Sequence, residues 1–131
     1  MTLKSKALKN VTLSADDFGL SPGVSKGIIQ LAEKQRISAT SVMVVYENWE
    51  KDAQALFNFK DHIDIGLHLV LTDAIPLSPP EKIGSLISSD NRFLKVRYLI
   101  NHAYLRKIVS HDVINEFNLQ YQRFIDFFNF E

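Results

Sequence analysis

The stretch V-T-L-S-A-D-D-F-G-L-S-P-G-V-S-K-G-I-I-Q-L-A, Val11 to Ala32, carries a strand, a turn and a helix in immediate succession. Val11 to Ala15 combines β-branched and small residues with little polarity, the pattern of a short buried strand. Ser21 is suited to cap a helix whose first position is Pro22. Val24, Ile28, Leu31 and Ala32 then recur at helical spacing. Between strand and helix stand Asp16 and Asp17, with Gly19 to turn the chain.

The same alternation continues outward. Ile37 to Val45 reads as a second strand, Asn48 as the cap of a helix through Ala53, Leu56 and Phe57, and Ile63 to Leu71 as a third strand. Strand-helix-strand-helix-strand order is that of an α/β fold with parallel strands and covering helices. A proline-bearing loop from Thr72 to Arg92 follows, of a length that usually marks a functional or mobile segment. Two helices come after it. The second is expected to be capped by Ser110, with Asp112 and Glu116 in its first turn and an apolar stripe of Val113, Phe117, Tyr121, Phe124 and Phe128. A fourth strand is expected next, but the chain ends at Glu131.

Composition narrows the partners. The 131 residues suit one domain, and 46% apolar content supports a core. Fifteen basic and fifteen acidic residues cancel, so no overall field draws the chain to nucleic acid or to an anionic membrane. With no cysteine, disulfides, thiolate ligands and a cysteine nucleophile are excluded. Met1 to Asn10 lacks the apolar run of a secretory signal, and no stretch reaches membrane-spanning length. A cytoplasmic location is the expectation.

Sites on parallel sheets gather at the C-terminal ends of the strands, where the loops converge. Asp16 and Asp17 follow the first strand and His68 sits near the end of the third. Neighbouring residues of an extended segment point in opposite directions, so the two aspartates are expected to do different jobs. One carboxylate and the imidazole, from strands taken as neighbours, can share a hard or borderline ion such as Mg²⁺ or Zn²⁺. The other carboxylate can act as general base on water. Other readings stand beside this one. An Asp-Asp pair after a strand also serves turns and caps, and a histidine in an apolar strand also serves as a hydrogen-bonded core residue. Tyr46 and Trp49 can stack on a sugar ring or simply pack. His62, His102 and His111 lack an acidic strand partner. A phosphoacceptor signalling domain would need a further aspartate where His68 stands, whereas Asp61 and Asp64 lie at the start of that strand.

Taken together, the segments resemble the YdjC-like family of carbohydrate deacetylases, whose described members include chitooligosaccharide deacetylases. The resemblance rests on L-S-A-D-D-F-G-L-S-P-G-V (Leu13 to Val24), I-S-A-T-S-V-M-V (Ile37 to Val44) and I-G-L-H-L-V-L-T (Ile65 to Thr72). It extends through P-L-S-P-P (Pro76 to Pro80), S-L-I-S-S-D-N-R-F-L (Ser85 to Leu94) and E-F-N-L-Q-Y-Q-R-F (Glu116 to Phe124). It implies the N-terminal portion of a (β/α) barrel-like fold, a divalent metal ion and an N-acetylated oligosaccharide substrate. By the resemblance Asp17 and His68 are metal ligands and Asp16 the general base. The family's H-x-H motif would lie beyond Glu131, so the chain is expected to be one domain, residues 1–131, lacking the C-terminal part of the barrel. Acetate release by this chain alone is then not expected, and a non-catalytic sugar-binding or regulatory module is the alternative. The severed sheet and the stripe on the last helix would favour self-association into a homo-oligomer.

Overall fold

The computed structural model describes residues 11–129; the signal-free reading of Met1 to Asn10 lies outside them. Three parallel strands, β1 (Ser14–Phe18), β2 (Ala39–Val42) and β3 (Asp64–Leu67), lie in the order β1-β2-β3. Helix α1 (Pro22–Glu33) connects the first two; α2 (Trp49–Ala53), continued by a 3₁₀ segment (Gln54–Phe59), connects the next two. Helices α3 (Val96–Tyr104) and α4 (Ser110–Phe128) follow the long loop. This is the α/β architecture with parallel strands that the sequence indicates.

The start of α1 follows its local chemistry. Ser21 is extended (φ −160°) and its hydroxyl accepts the Val24 amide at 3.4 Å, with Pro22 in the first turn. The expected caps of α2 and α4 do not form. Asn48 makes no side-chain cap, and α4 begins after Val109, whose amide donates instead to Ser85 Oγ at 3.0 Å.

Strands β2 and β3 are shorter than the apolar runs suggest, and β1 keeps its five residues but is shifted. Its pairing starts at Ser14 opposite Ala39 and continues to Phe18, so Asp16 and Asp17 lie within the strand, not after it. Pairing with β2, not local composition, sets those limits. Beyond β3, the His68 amide donates to the Val42 carbonyl at 2.9 Å. The chain then leaves the sheet. At Val70 the amide of Gln120 takes over: its Oε1 accepts the Val70 N–H at 2.9 Å and its Nε2 donates to the Val70 carbonyl at 2.7 Å. A side chain thus serves both backbone groups, as a strand would.

Helix α4 differs from expectation in the face it buries. Glu116, Gln120, Phe124 and Phe128 are buried, at i, i+4 spacing, while Tyr121 is 57% exposed. The C-terminal half joins the main core, where Phe124 and Phe128 pack with Phe18, Val42, Trp49 and Leu56. Those two phenylalanines are therefore covered by the chain's own core, which removes them from the stripe expected to drive self-association. The N-terminal half is polar for a reason. Glu116 accepts the amides of Leu77 at 3.1 Å and Ser78 at 2.8 Å, and Gln120 Nε2 at 2.8 Å. The long loop is anchored by this carboxylate and by Ala74, Ile83, Leu86 and Phe93, which form a second core with Met43 and Val45.

Each orphaned buried polar group costs roughly 1–3 kcal/mol. Replacing Glu116 with alanine strands two amides and opens a void, so a loss of about 3 kcal/mol is expected. Urea unfolding followed by circular dichroism measures it; an unchanged midpoint would show that the clamp contributes nothing.

Candidate functional site

The site is built on an irregularity in β1. Ala15 pairs with Thr40 and Phe18 with Val42, so three steps along β1 match two along β2. The extra residue is a β-bulge, in which two residues oppose one and side chains are re-aimed. Asp17 sits in the left-handed region at φ 67°, which aspartate tolerates better than most residues. The bulge is held from both sides. Below it the Thr40 hydroxyl donates to the Ala15 carbonyl at 2.7 Å. Above it Gly19, at φ 92°, lies against the segment just after β2: an added Cβ would lie 2.8 Å from the Met43 carbonyl oxygen and 3.2 Å from Trp49 Cβ.

The bulge overturns the alternation expected of the two acids. Both reach one cluster at the C-terminal ends of the strands. Asp16 Oδ1 accepts from Ser14 Oγ at 3.0 Å and from Ser41 Oγ at 2.8 Å. Ser41 Oγ also lies 3.0 Å from His68 Nδ1, and His68 Nδ1 lies 3.5 Å from Asp17 Oδ1. The strands bearing the acids and the histidine are not neighbours, because β2 lies between them. Ser41, on that middle strand, bridges the gap, and it is the site residue that sequence reasoning missed. The signal for it was the alternation of β2: Thr40 and Val42 are buried, which leaves Ala39 and Ser41 on the other face.

The Ser41 hydroxyl, then Ser14, holds the Asp16 carboxyl below the usual carboxylate range, against a smaller opposing effect of desolvation. Asp16 is thus a positioned carboxylate at neutral pH. Asp17 and His68 are partly open to solvent, at 48% and 30% side-chain exposure. Their facing atoms fit one ion: ligand bonds of about 2.0–2.1 Å at a tetrahedral angle put donors about 3.3 Å apart. Among the described residues, no group of three or more His, Cys, Asp or Glu is arranged to hold a metal. Asp17 Oδ1 and His68 Nδ1 are thus two candidate donor atoms that face each other.

Other candidates fall away from the cluster. Trp49 is fully buried, 4.8 Å from the Phe127 ring, with the Arg123 guanidinium 5.5 Å from its own ring centre; it packs. Tyr46 stays half-buried on the mouth side. Burial raises its phenol pKa, the Asp17 and Asp73 carboxylates add to the rise, and Arg92 opposes it. His62 and His111 are exposed, and His102 sits on α3. No helix among the described residues is long and apolar enough to cross a membrane.

The sequence model of the family described as YdjC-like protein matches residues 10–130. A carbohydrate deacetylase of Clostridium beijerinckii is 30% identical over 88% of this chain and 44% of its own length. A chitooligosaccharide deacetylase of Proteus mirabilis is 34% identical over 88% of the chain and 43% of its own. The chain thus spans less than half the length of these curated relatives. A crystal structure of an Enterococcus faecalis protein, described as a cellobiose-phosphate cleavage protein, superposes with a TM-score of 0.77 at 27% identity, covering 88% of this chain and 43% of that one.

Removing the Ser41 hydroxyl takes away the largest influence on Asp16. Ser41→Ala is expected to raise the Asp16 titration midpoint, read from its side-chain carboxyl carbon by NMR. A depressed folded-state pKa stabilises the fold above the unfolded value of about 3.9, and that contribution is lost as pH falls through the folded value. The variant should lose less stability on acidification; an unmoved midpoint would refute the role given to Ser41.

Proposed function

The chain belongs to the YdjC-like family, and from that premise we propose that it forms the acid-bearing part of a metal-dependent hydrolase that removes acetyl groups from N-acetylated sugars. The observation that carries this reading is the convergence of Asp16, Ser41, His68 and Asp17 at the strand ends. Relatives of this chain are named for deacetylation of carbohydrates and of chitooligosaccharides, which is the chemistry such a cluster suits. On this reading residues 1–131 form a single domain, the N-terminal part of a deacetylase barrel.

Asp17 and His68 would hold a divalent cation, Mg²⁺ or Zn²⁺, with further ligands from water or substrate. Such an ion supplies Lewis acidity toward the acetamide carbonyl and makes nearby water more acidic. Asp16 is the general base. Its carboxylate takes a proton from the attacking water, the carbonyl carbon gains the oxygen, and the C–N bond breaks with the proton passing to the departing amine. Acetate and a free amino sugar result. Ser41 keeps Asp16 ionised and aimed, and Oδ1 carries both serine contacts. The partial exposure of Asp17 and His68 leaves the cluster open to a sugar in solution.

Calorimetric titration with Zn²⁺ tests the ligand assignment. Binding is expected to weaken in Asp17→Asn and in His68→Gln by more than the ~10–100-fold typical of outer-sphere changes, and to persist in Asp16→Asn. Acetate release from an N-acetylated chito-oligosaccharide, by protein containing this chain, should be abolished in Asp16→Asn. Undiminished release in that variant would contradict the base assignment, and unchanged Zn²⁺ affinity in the other two would contradict the ligands.

A further inference from the structure

Among the described residues, the sheet's hold on the chain after β3 ends with the His68 amide, which donates to the Val42 carbonyl at 2.9 Å. Two residues on, at Val70, the backbone partner is a side chain from α4. Gln120 Oε1 accepts the Val70 N–H at 2.9 Å and Gln120 Nε2 donates to the Val70 carbonyl at 2.7 Å. Both residues are buried, so solvent is not at hand to replace either contact. Leu69, between His68 and Val70, is 42% exposed and gives the segment little packing of its own.

The Gln120 amide has one orientation open to it. It carries one acceptor oxygen and two donor hydrogens. The oxygen takes the Val70 N–H, one hydrogen goes to the Val70 carbonyl, and Nε2 also donates to Glu116 Oε1 at 2.8 Å. Turning the amide over would set Nε2 against the Val70 N–H and Oε1 against a carbonyl and a carboxylate. Glu116 is fixed in turn, because its two oxygens accept the Leu77 and Ser78 amides. The pair is therefore ordered from both ends.

The anchor is close to the cluster. Two residues of extended chain span about 7 Å, so a displacement at Val70 is passed to His68 through two peptide units. The cluster tolerates little of it: side chains that share a ligand need to be held within about 0.5 Å. His68 Nδ1 stands 3.5 Å from Asp17 Oδ1 and 3.0 Å from Ser41 Oγ. We propose that Gln120 is a positioning residue for this site: by pairing both backbone groups of Val70 it fixes the exit of β3, and so holds the His68 imidazole at the spacing from Asp17 that a divalent cation requires. Gln120 acts through the main chain and touches neither ion nor substrate. The proposal rests on the assignment of Asp17 and His68 as ligands.

Three variants test it. Gln120→Met keeps the length of the side chain and leaves both Val70 groups without their partner. Glu116→Gln keeps one acceptor oxygen and releases one of the two loop amides, nine or ten residues past His68. Leu56→Ala truncates the main core, whereas Val70 belongs to the second one. Urea unfolding gives the stability of each variant, and calorimetric titration gives its Zn²⁺ affinity. Gln120→Met is expected to weaken Zn²⁺ binding about tenfold, the lower end of what changes outside the ligand sphere produce. The other two variants should lose stability and keep the wild-type affinity. In the metal-free chain, Gln120→Met should also speed hydrogen exchange at the His68 amide relative to the amides of β2. Unchanged Zn²⁺ affinity in Gln120→Met, or a loss that follows stability across all three variants, overturns the role. Zn²⁺ binding indifferent to His68→Gln in the otherwise unaltered chain overturns the ligand assignment instead, and the exchange readout, which needs no ion, then decides the clamp by itself. If Gln120→Met does not fold, the unaltered chain supplies the test in low urea. There the His68 and Val70 amides are expected to exchange as one unit; a Val70 amide that exchanges freely while His68 stays protected overturns the proposal.

Discussion

The site depends on one extra residue in β1. A regular strand would turn Asp16 and Asp17 to opposite faces and leave a single acid at the mouth. The bulge opposes two residues of β1 to one of β2 and brings both carboxylates within reach of the same serine-histidine pair. Asp17 pays for this with a left-handed backbone at φ 67°, a strain on the order of 1–3 kcal/mol that only firm surroundings sustain. Gly19 lets the chain pass close against the residue after β2. No other residue fits there, because any Cβ would collide with the Met43 carbonyl oxygen while the backbone holds φ 92°.

The opposite wall of the site is fixed from a distance. Gln120 pairs both backbone groups of Val70, two residues past His68, and Glu116 pins the amides of Leu77 and Ser78. A helix late in the chain thereby sets the path of the segment that follows His68. Polar side chains do this work in a fully buried setting, which is sound because each of these contacts satisfies a group that would otherwise be orphaned. The same helix closes the core with Phe124 and Phe128. Packing and site geometry are consequently coupled through α4.

Much of this was legible in the sequence. The alternation of apolar runs with helical spacing gave the parallel α/β order, Ser21-Pro22 gave the start of α1, and the acid-turn and histidine motifs marked the strand ends. What was not legible came from contacts distant in sequence. Local composition placed β1 over Val11 to Ala15, whereas pairing with β2 moved it onto the acids. Nothing in D-D itself announces a bulge. Ser41 escaped notice because a serine in a strand is chemically ordinary until β2 is known to lie between β1 and β3. Hydrophobicity alone points to Phe117 and Tyr121 on α4 and gives Glu116 only as a first-turn acid, whereas it lies one turn further in, buried with Gln120; the buried face is decided by which backbone groups need partners.

The central claim is that the bulged acid pair and His68 make one cation-binding mouth. Paramagnetic broadening by Mn²⁺, added in substoichiometric amounts to the labelled chain, tests it most directly. The account predicts selective loss of the amide signals of Asp16, Asp17, Ser41 and His68, with weaker effects at Tyr46 and none along α3. Broadening centred elsewhere, or spread evenly over the exposed carboxylates, would contradict it.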